Sequence, residues 1–298
     1  MIIWLLNAVY FCVCKQGIRY RRPETMNTAH EISTRYREKD FALLIGCLRE
    51  VGGDDLVRQF RDSCFGQFTD WKGGYKHNMA LHHLISRSIE SDDDLIWFHI
   101  CGRDVCLTVA DFALITGLRF GETTFDPTAV HDVSNDDAYL AFCGDVGSVR
   151  RPMSIKALIE RVVDTRRRVG DERLYLRAVL VCVAQSFVLG YERSVEDWMW
   201  ALAADLEAFN SFPWGAYSYQ SLRYYLEHCA RGQKYSFYGP AWALYVWGLE
   251  KVRGLGGVVG RVKDAGAYPR CLRWVFRSNT RVRAVDLQRL FEQTEVLF

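Results

Sequence analysis

The stretch from Leu174 to Leu189 constrains the fold most strongly, because it is apolar on nearly every side. Only Arg177, Gln185 and Ser186 interrupt it. A helix with no polar face must lie at the centre of a core. The stretch is also too short and too polar to cross a bilayer, which needs about 20 apolar residues. The sequence therefore predicts a globule built around a buried helix.

The composition is that of a packed globule. Hydrophobic residues make up 49% of the 298 residues and charged residues 25%, and the chain has nine Trp, fifteen Tyr and seventeen Phe. Six Pro are too few for a long disordered linker, and no low-complexity tract is present. A net charge of +2 gives no global signature of nucleic-acid binding. This length suits one large domain or two of ordinary size.

Helical spacing of apolar residues recurs along the chain, for example at Phe41, Leu44, Ile45 and Leu48. The spacing changes only at residues 95–108, where two apolar runs flank a turn at Gly102-Arg103-Asp104 and predict a β-hairpin. We therefore predict a mainly α fold. It is a single α-rich globular domain, or two closely packed helical halves, with one small β-hairpin.

The charge pattern predicts four regions. Residues 1–36 form an apolar and then basic N-terminal extension, and residues 37–119 a helical subdomain that contains the hairpin. Residues 120–149 form an acidic loop with six acidic residues and no Lys or Arg, which makes them the best candidate boundary. Residues 150–298 form a second helical subdomain with a basic C-terminal tail.

The apolar run of residues 1–14 is shorter than a membrane span and lacks the flanking features of a signal peptide. We interpret it as a buried first element or a non-native extension, with a weak membrane anchor as the alternative.

The ten cysteines include no Cys-x-x-Cys pair, and no Asn-x-Ser/Thr acceptor site is present. Both features favour a reducing compartment, so we expect the protein in the nucleus or cytoplasm and not in a membrane.

Several strings of residues resemble a known plant domain of unknown function. That domain commonly precedes a SUMO-protease-like (Ulp-type) peptidase domain in genes derived from Mutator-like transposons. The resemblance covers about residues 41–276 and implies a SUMO-protease-like domain as one partner, but it implies no activity. The strings are Phe60-Arg-Asp-Ser-Cys-Phe-Gly66, Leu81-His-His-Leu84, Asp111-Phe-Ala-Leu-Ile-Thr-Gly-Leu118 and Asp205-Leu-Glu-Ala-Phe-Asn-Ser-Phe-Pro-Trp-Gly215.

The catalytic motif of such a peptidase is not found in the sequence. A SUMO-protease-like site needs a His base, an orienting Asp, an oxyanion-hole Gln and a Cys in an Asp-Cys-Gly context. Cys143 follows Ala141-Phe142, with His131 only twelve residues upstream, and Cys101 follows Ile100 on a predicted strand. We therefore expect no catalytic residues. The alternative is an accessory or truncated part of a SUMO-protease-like cysteine peptidase, or an unrecognised cysteine hydrolase.

Metal and cofactor sites are not expected either. His99, Cys101 and Cys106 crowd the hairpin, but no fourth zinc ligand accompanies them, and buried cysteines need no metal. The glycines of residues 254–260 resemble those of a phosphate-binding loop in number but not in spacing. Val259 stands where the dinucleotide fingerprint needs Gly, and no Lys-Ser/Thr follows, so we predict a flexible turn.

The basic tail is the one candidate binding site. Residues 231–298 contain twelve Lys or Arg and five Asp or Glu, and Tyr268, Trp274 and Phe276 lie among them. Arginines with aromatic residues can hold phosphates and stack on bases. The chain is therefore interpreted as a non-catalytic interaction module that binds protein or nucleic acid; in the alternative interpretation, the arginines pair with acids such as Asp126, Asp132, Asp136 and Asp137. The candidate nucleic-acid-binding residues are Arg261, Arg270, Arg273, Arg277, Arg281 and Arg283.

Overall fold

The computed structural model describes residues 33–34, 38–71, 78–89, 91, 93–144, 153–168, 170–190, 194–230, 236–276 and 283–293. The apolar residues 1–14 lie outside this described part. Among the described residues, helices predominate over short strands, which confirms the predicted mainly α class. No helix in these ranges is both long enough and apolar enough to cross a membrane.

The α-helices of the described residues, in chain order, are α1 (Glu38–Arg61), α2 (Asn78–Ile85), α3 (Val109–Thr116), α4 (Asp137–Cys143), α5 (Ile155–Thr165), α6 (Glu172–Val183), α7 (Asp197–Ala204), α8 (Leu206–Ser211), α9 (Trp214–Ala230), α10 (Ala241–Lys251), α11 (Leu255–Val259) and α12 (Ala284–Gln293). Gly52 and Gly53 interrupt α1 with non-helical backbone. A π-helical segment, Ala184–Leu189, continues α6. Two 3₁₀ segments span Gly66–Asp70 and Arg270–Arg273.

The strands of the described residues form three small sheets. They are β1 (Ser33–Thr34), β2 (Ser88–Ile89), β3 (Ile96–Ile100), β4 (Arg103–Leu107), β5 (Ser236–Phe237), β6 (Gly260–Val262) and β7 (Trp274–Phe276). The hairpin of β3 and β4 is confirmed, and β2 extends it on the other side of β3. Strands β6 and β7 form a second antiparallel ribbon that the sequence did not predict, and β1 pairs in parallel with β5.

The chain groups into two compact units that cut across the linear division into 37–119, 120–149 and 150–298. One unit contains the described residues within 36–71 and 118–217, and the other contains those within 1–35, 72–117 and 218–298. We name them the α6 unit and the α10 unit after their central helices. Each unit is assembled from stretches that are separated in the sequence.

The α6 unit is built around the helix that the sequence predicted to be central. Eight residues of α6 are buried, and the helix packs against α1, α4, α5 and α7. Arg177 is the charged residue within the apolar stretch of this helix. It forms an ion pair with Asp136 and donates from Nε to the Ala203 carbonyl at 2.9 Å. Asp136 also accepts from the backbone N–H of Tyr139 and so caps α4. The buried charge in this core is therefore paired and hydrogen-bonded.

The α10 unit is built around α10. Every residue from Ala241 to Leu249 is buried, and the helix packs against α2, α3, α11 and the 3₁₀ segment Arg270–Arg273. Helix α3 begins with a capping box, since the Thr108 hydroxyl accepts from the N–H of Asp111 and the Asp111 carboxylate accepts from the backbone N–H of Thr108. It ends at Gly117, whose φ of +68° is a left-handed conformation that suits glycine.

Local sequence signals are misleading at three places. Ser194 and Asp197 have the spacing of a capping box but do not form one, because Ser194 pairs with Ser154 in an isolated β-bridge and Glu196 occupies the N-cap without a side-chain bond. The helix that follows does not run unbroken to Phe209, because Asp205 ends α7 and caps α8. The glycine-rich residues 254–260 form α11 and the start of β6, not a flexible turn. The predicted acidic loop 120–149 also contains α4.

Candidate nucleic-acid interface

The basic residues of the C-terminal region lie on and around the ribbon of β6 and β7. Arg261 pairs with Val275 across the ribbon, flanked by Gly260 with Phe276 and Val262 with Trp274. Beyond β6, the N–H of Lys263 donates to the Arg273 carbonyl at 2.6 Å and so continues the register. Because directly opposed residues of an antiparallel ribbon lie on the same face, Arg261 and Val275 belong to one face. Lys263 follows β6 two residues after Arg261, and Arg273 ends the 3₁₀ segment that precedes β7.

The opposite face of the ribbon carries the aromatic residues that pack inwards. The Phe276 ring lies 5.5 Å from the Tyr245 ring of α10. The Trp274 ring lies so close to Gly256 of α11 that a Cβ at that glycine would be 2.5 Å from it. The face with the exposed Arg261 is therefore the outer face of the ribbon, while on the opposite face Trp274 and Phe276 pack inwards and Val262 is 51% exposed. Lys263, directly after β6, is exposed as well.

The predicted arginines differ in whether their charge is available. Arg261 is exposed, and no acidic side chain of the described residues is within ion-pair distance of it. Arg273 is half-buried and donates from Nε to the Ala267 carbonyl at 2.9 Å. Arg270 forms an ion pair with Glu250 at 3.2 Å. Arg277 and Arg281 lie outside the described residues.

Arg283 is exposed but paired with a carboxylate on its own helix. Its Nε and Nη2 donate to the two oxygens of Asp286 at 2.8 and 3.1 Å. This hydrogen bonding raises the pKa of Arg283 and lowers the pKa of Asp286. The structure therefore places Arg261 in β6, Lys263 directly after it and Arg273 next to β7, and it holds Arg270 and Arg283 in ion pairs.

The alternative interpretation pairs the basic tail with acids such as Asp126, Asp132, Asp136 and Asp137. Of these, Asp136 pairs with Arg177, and the Asp126 carboxylate accepts from the hydroxyl and backbone N–H of Thr128, which lowers the pKa of Asp126. Two of the described tail arginines, Arg270 and Arg283, pair with Glu250 and Asp286, which belong to the tail itself.

The cysteines considered as nucleophiles are poorly placed for that role. Burial raises the pKa of the Cys143 thiol to about 12, so it stays protonated at neutral pH. His131, the base considered for it, stacks on Phe125 at 4.8 Å and bonds through Nε2 to the Asp126 carbonyl. Burial also raises the pKa of the Cys47, Cys64, Cys182 and Cys271 thiols.

Cys101 lies in the hairpin turn with a φ of +53°, an uncommon conformation for a residue other than glycine. Its backbone N–H donates to the Phe291 carbonyl at 2.9 Å and its thiol donates to the Leu290 carbonyl at 3.4 Å. Cys101 thus holds the last turn of α12 against the hairpin. His99 bonds to Asp104 at 2.7 Å across the strands, and no group of side chains in the described ranges could hold a metal ion.

The sequence analysis missed a cluster between α2 and α12. His83 bonds through Nδ1 to Arg87 at 3.0 Å and stacks on the Phe291 ring at 5.3 Å. Arg87 lies over the same ring at 5.1 Å and forms an ion pair with Glu292 at 3.6 Å. Burial and the neighbouring Arg87 charge lower the pKa of His83 to about 4, so it is neutral at pH 7. The spacing of four between His83 and Arg87 was the only signal in the sequence.

Comparison with known proteins places a family model on part of this α-rich chain. Residues 85–224 match the model described as Domain of unknown function (DUF1985). These residues therefore contain a domain of unknown function, as the sequence strings suggested. No curated protein and no solved structure matches the chain. The β6–β7 ribbon lies outside the matched residues, so the match describes the scaffold and not the candidate interface.

Proposed function

We propose that the chain is a non-catalytic binding module whose outer β6–β7 face binds the phosphate backbone of nucleic acid. The observation that carries the proposal is the pair of exposed cations Arg261, in β6, and Lys263, two residues further along the chain. No acidic side chain of the described residues lies within ion-pair distance of either. The nearest acid in sequence, Asp264, is exposed and accepts from the N–H of Gly266 at 2.9 Å.

Two supporting arguments come from the cysteines. The raised pKa values of five cysteine thiols leave those thiols protonated and unreactive, which favours a binding role over cysteine catalysis. The eight described cysteines are all free, which suits a reducing compartment, the nucleus or cytoplasm. The plant and transposon context, with a SUMO-protease-like domain as a partner, rests on the sequence resemblance alone.

Binding of this kind has a characteristic dependence on salt. Each phosphate that a cation neutralises releases a counterion, so the logarithm of the affinity falls by about 0.9 per contact per decade of salt. Two contacts, from Arg261 and Lys263, would give a slope of about −2. Sequence preference should be weak, because phosphate contacts position a protein without reading the bases.

The test is a titration of a fluorescently labelled DNA duplex between about 50 and 200 mM salt, followed by anisotropy. The double variant Arg261→Glu/Lys263→Glu should abolish binding at low salt. The matched control is Arg167→Glu/Arg168→Glu, which makes the same change in charge at two exposed residues of the α6 unit. The control should bind as the wild type does.

The proposal fails if the wild type does not bind nucleic acid at the lowest salt concentration. It also fails if both double variants lose affinity equally, since the effect would then follow net charge and not the ribbon. A melting curve for each variant shows that loss of binding is not loss of the fold.

A further inference from the structure

The three aromatic residues near the basic face are not equivalent. Trp274 and Phe276 are half-buried, with their rings against α11 and α10. Tyr268, in the loop that joins β6 to β7, has 66% of its surface exposed. Tyr268 is therefore the most exposed aromatic residue of the three.

The backbone on both sides of Tyr268 is fixed. On one side, the Ala267 carbonyl accepts the bond from Arg273 Nε, and the Ala267 N–H donates to the Asp264 carbonyl at 3.3 Å. On the other side, Pro269 is buried against Gly117, where an added Cβ would lie 3.0 Å from the proline ring. The Pro269 carbonyl also accepts from the N–H of Leu272 at 2.9 Å.

This geometry gives Arg273 a positioning role. Its guanidinium holds the residue next to Tyr268, while its own backbone carbonyl accepts from Lys263 within the ribbon. The loop that carries the tyrosine is therefore tied to the strands that carry Arg261 and Lys263. A loop whose backbone is already fixed loses little conformational entropy when a ligand binds to the side chain that it carries.

We infer that the Tyr268 ring is a stacking platform for an unpaired base, and that the outer β6–β7 face therefore binds single-stranded nucleic acid in preference to duplex. The inference rests on the proposed function and names its substrate class. Stacking on an aromatic residue needs an exposed base face, which a single strand offers and a continuous duplex does not. Arg261 and Lys263 contribute to the affinity for both ligands, since single-stranded and duplex nucleic acid both have phosphates.

The experiment compares a labelled oligothymidine with a DNA duplex of the same length, at one low salt concentration, on the full chain. Tyr268→Leu, which removes the ring and keeps an apolar side chain, should weaken binding of the single strand by about tenfold. It should leave duplex binding unchanged. Tyr268→Trp, which keeps a stacking surface, should retain the single-strand affinity of the wild type.

The control variant is Tyr224→Leu, at another exposed tyrosine of the α10 unit, whose ring lies 3.9 Å from His228. It should change neither affinity. A wild type that binds duplex as tightly as the single strand, or a Tyr268→Leu variant that keeps its single-strand affinity, overturns the stacking inference and leaves the phosphate-binding proposal intact. Absence of binding to either ligand overturns both.

Discussion

Helices α6 and α10 each form the centre of a compact unit, but only α6 lies within the residues that match the family model. The match covers 85–224 and so omits α10 together with α1, the helix that packs on α6. Its limits also fall at the last residue of α2 and within α9. The conserved pattern that a family model recognises is thus smaller than the set of residues that each core needs.

The largest expected effect comes from excising the matched residues. A fragment of residues 85–224 lacks α10, whose nine consecutive buried residues fill the centre of the α10 unit, and it lacks α1 of the α6 unit. We expect this fragment to show no cooperative thermal unfolding by circular dichroism, because neither core is complete. The chain from 38 to 293 is the control and should unfold cooperatively. A cooperative transition for the fragment would show that the match is an independent domain.

The next effect concerns the buried ion pair of the α6 unit. The side chains of Arg177 and Asp136 are 13% and 12% exposed, so Arg177→Ala leaves a buried carboxylate without its partner. We expect a loss of about 3–5 kcal/mol in the free energy of unfolding, measured by urea denaturation. The comparison in the α10 unit is Arg270→Ala, whose pair with Glu250 is more exposed and should contribute about 1 kcal/mol or less. Equal losses would contradict this ranking.

Two glycine substitutions compare a tightly packed position in the α10 unit with an open position in the α6 unit. In α10, a Cβ at Gly248 would lie 2.6 Å from Cδ1 of Leu84, which is fully buried and has little room to move. Gly248→Ala should therefore destabilise the protein by about 1–3 kcal/mol. In α1, nothing lies within 4 Å of the Cβ position at Gly46, so Gly46→Ala should stabilise by up to about 1 kcal/mol. Thermal melting of both variants gives the two signs.

The last effect, which is absent at neutral pH, is the acid sensitivity of the α10 unit. Because the pKa of His83 is lowered to about 4 from its ordinary 6.5, the unfolded chain binds a proton more readily than the folded one. Stability that is complete above pH 6.5 should therefore fall as the pH decreases from 6.5 towards 4. The melting temperature of the His83→Gln variant should change less with pH between 6.5 and 4 than that of the wild type. Parallel pH profiles for wild type and variant would show that His83 is not the titrating group.

Much of the fold could be predicted because it depends on local patterns. The apolar run at α6, the capping box of α3 and the hairpin follow from periodicity and cap chemistry within a few residues. The pairing of α1 with α6 could not be predicted, because it depends on the fit between side chains more than a hundred residues apart. Two helical halves were one of the predicted arrangements, but the assembly of each unit from separated stretches follows from such distant contacts and was not predicted.

The candidate site likewise has features that could be predicted from the sequence and features that could not. Arg261 and Lys263 could be picked out from charge alone, and the spacing of Arg283 and Asp286 is that of a local ion pair. The inward position of Trp274 and the outward position of Tyr268 depend on the register of the β6–β7 ribbon. Strands of three residues contain too few alternations for a sequence pattern to reveal which face is buried.

The interleaving of the two units has a consequence for synthesis of the protein. Residues 38–71 and 118–217 are all synthesised before α10, so the α6 unit can close without waiting for α10. The stretch that ends with α3 must wait for α10, whose first residue comes 125 positions after Thr116 (241 − 116). At about 5–20 residues per second this delay is roughly 6–25 s. During that interval the buried faces of α2 and α3 are without their partner, and a chaperone that binds apolar segments would find its target there.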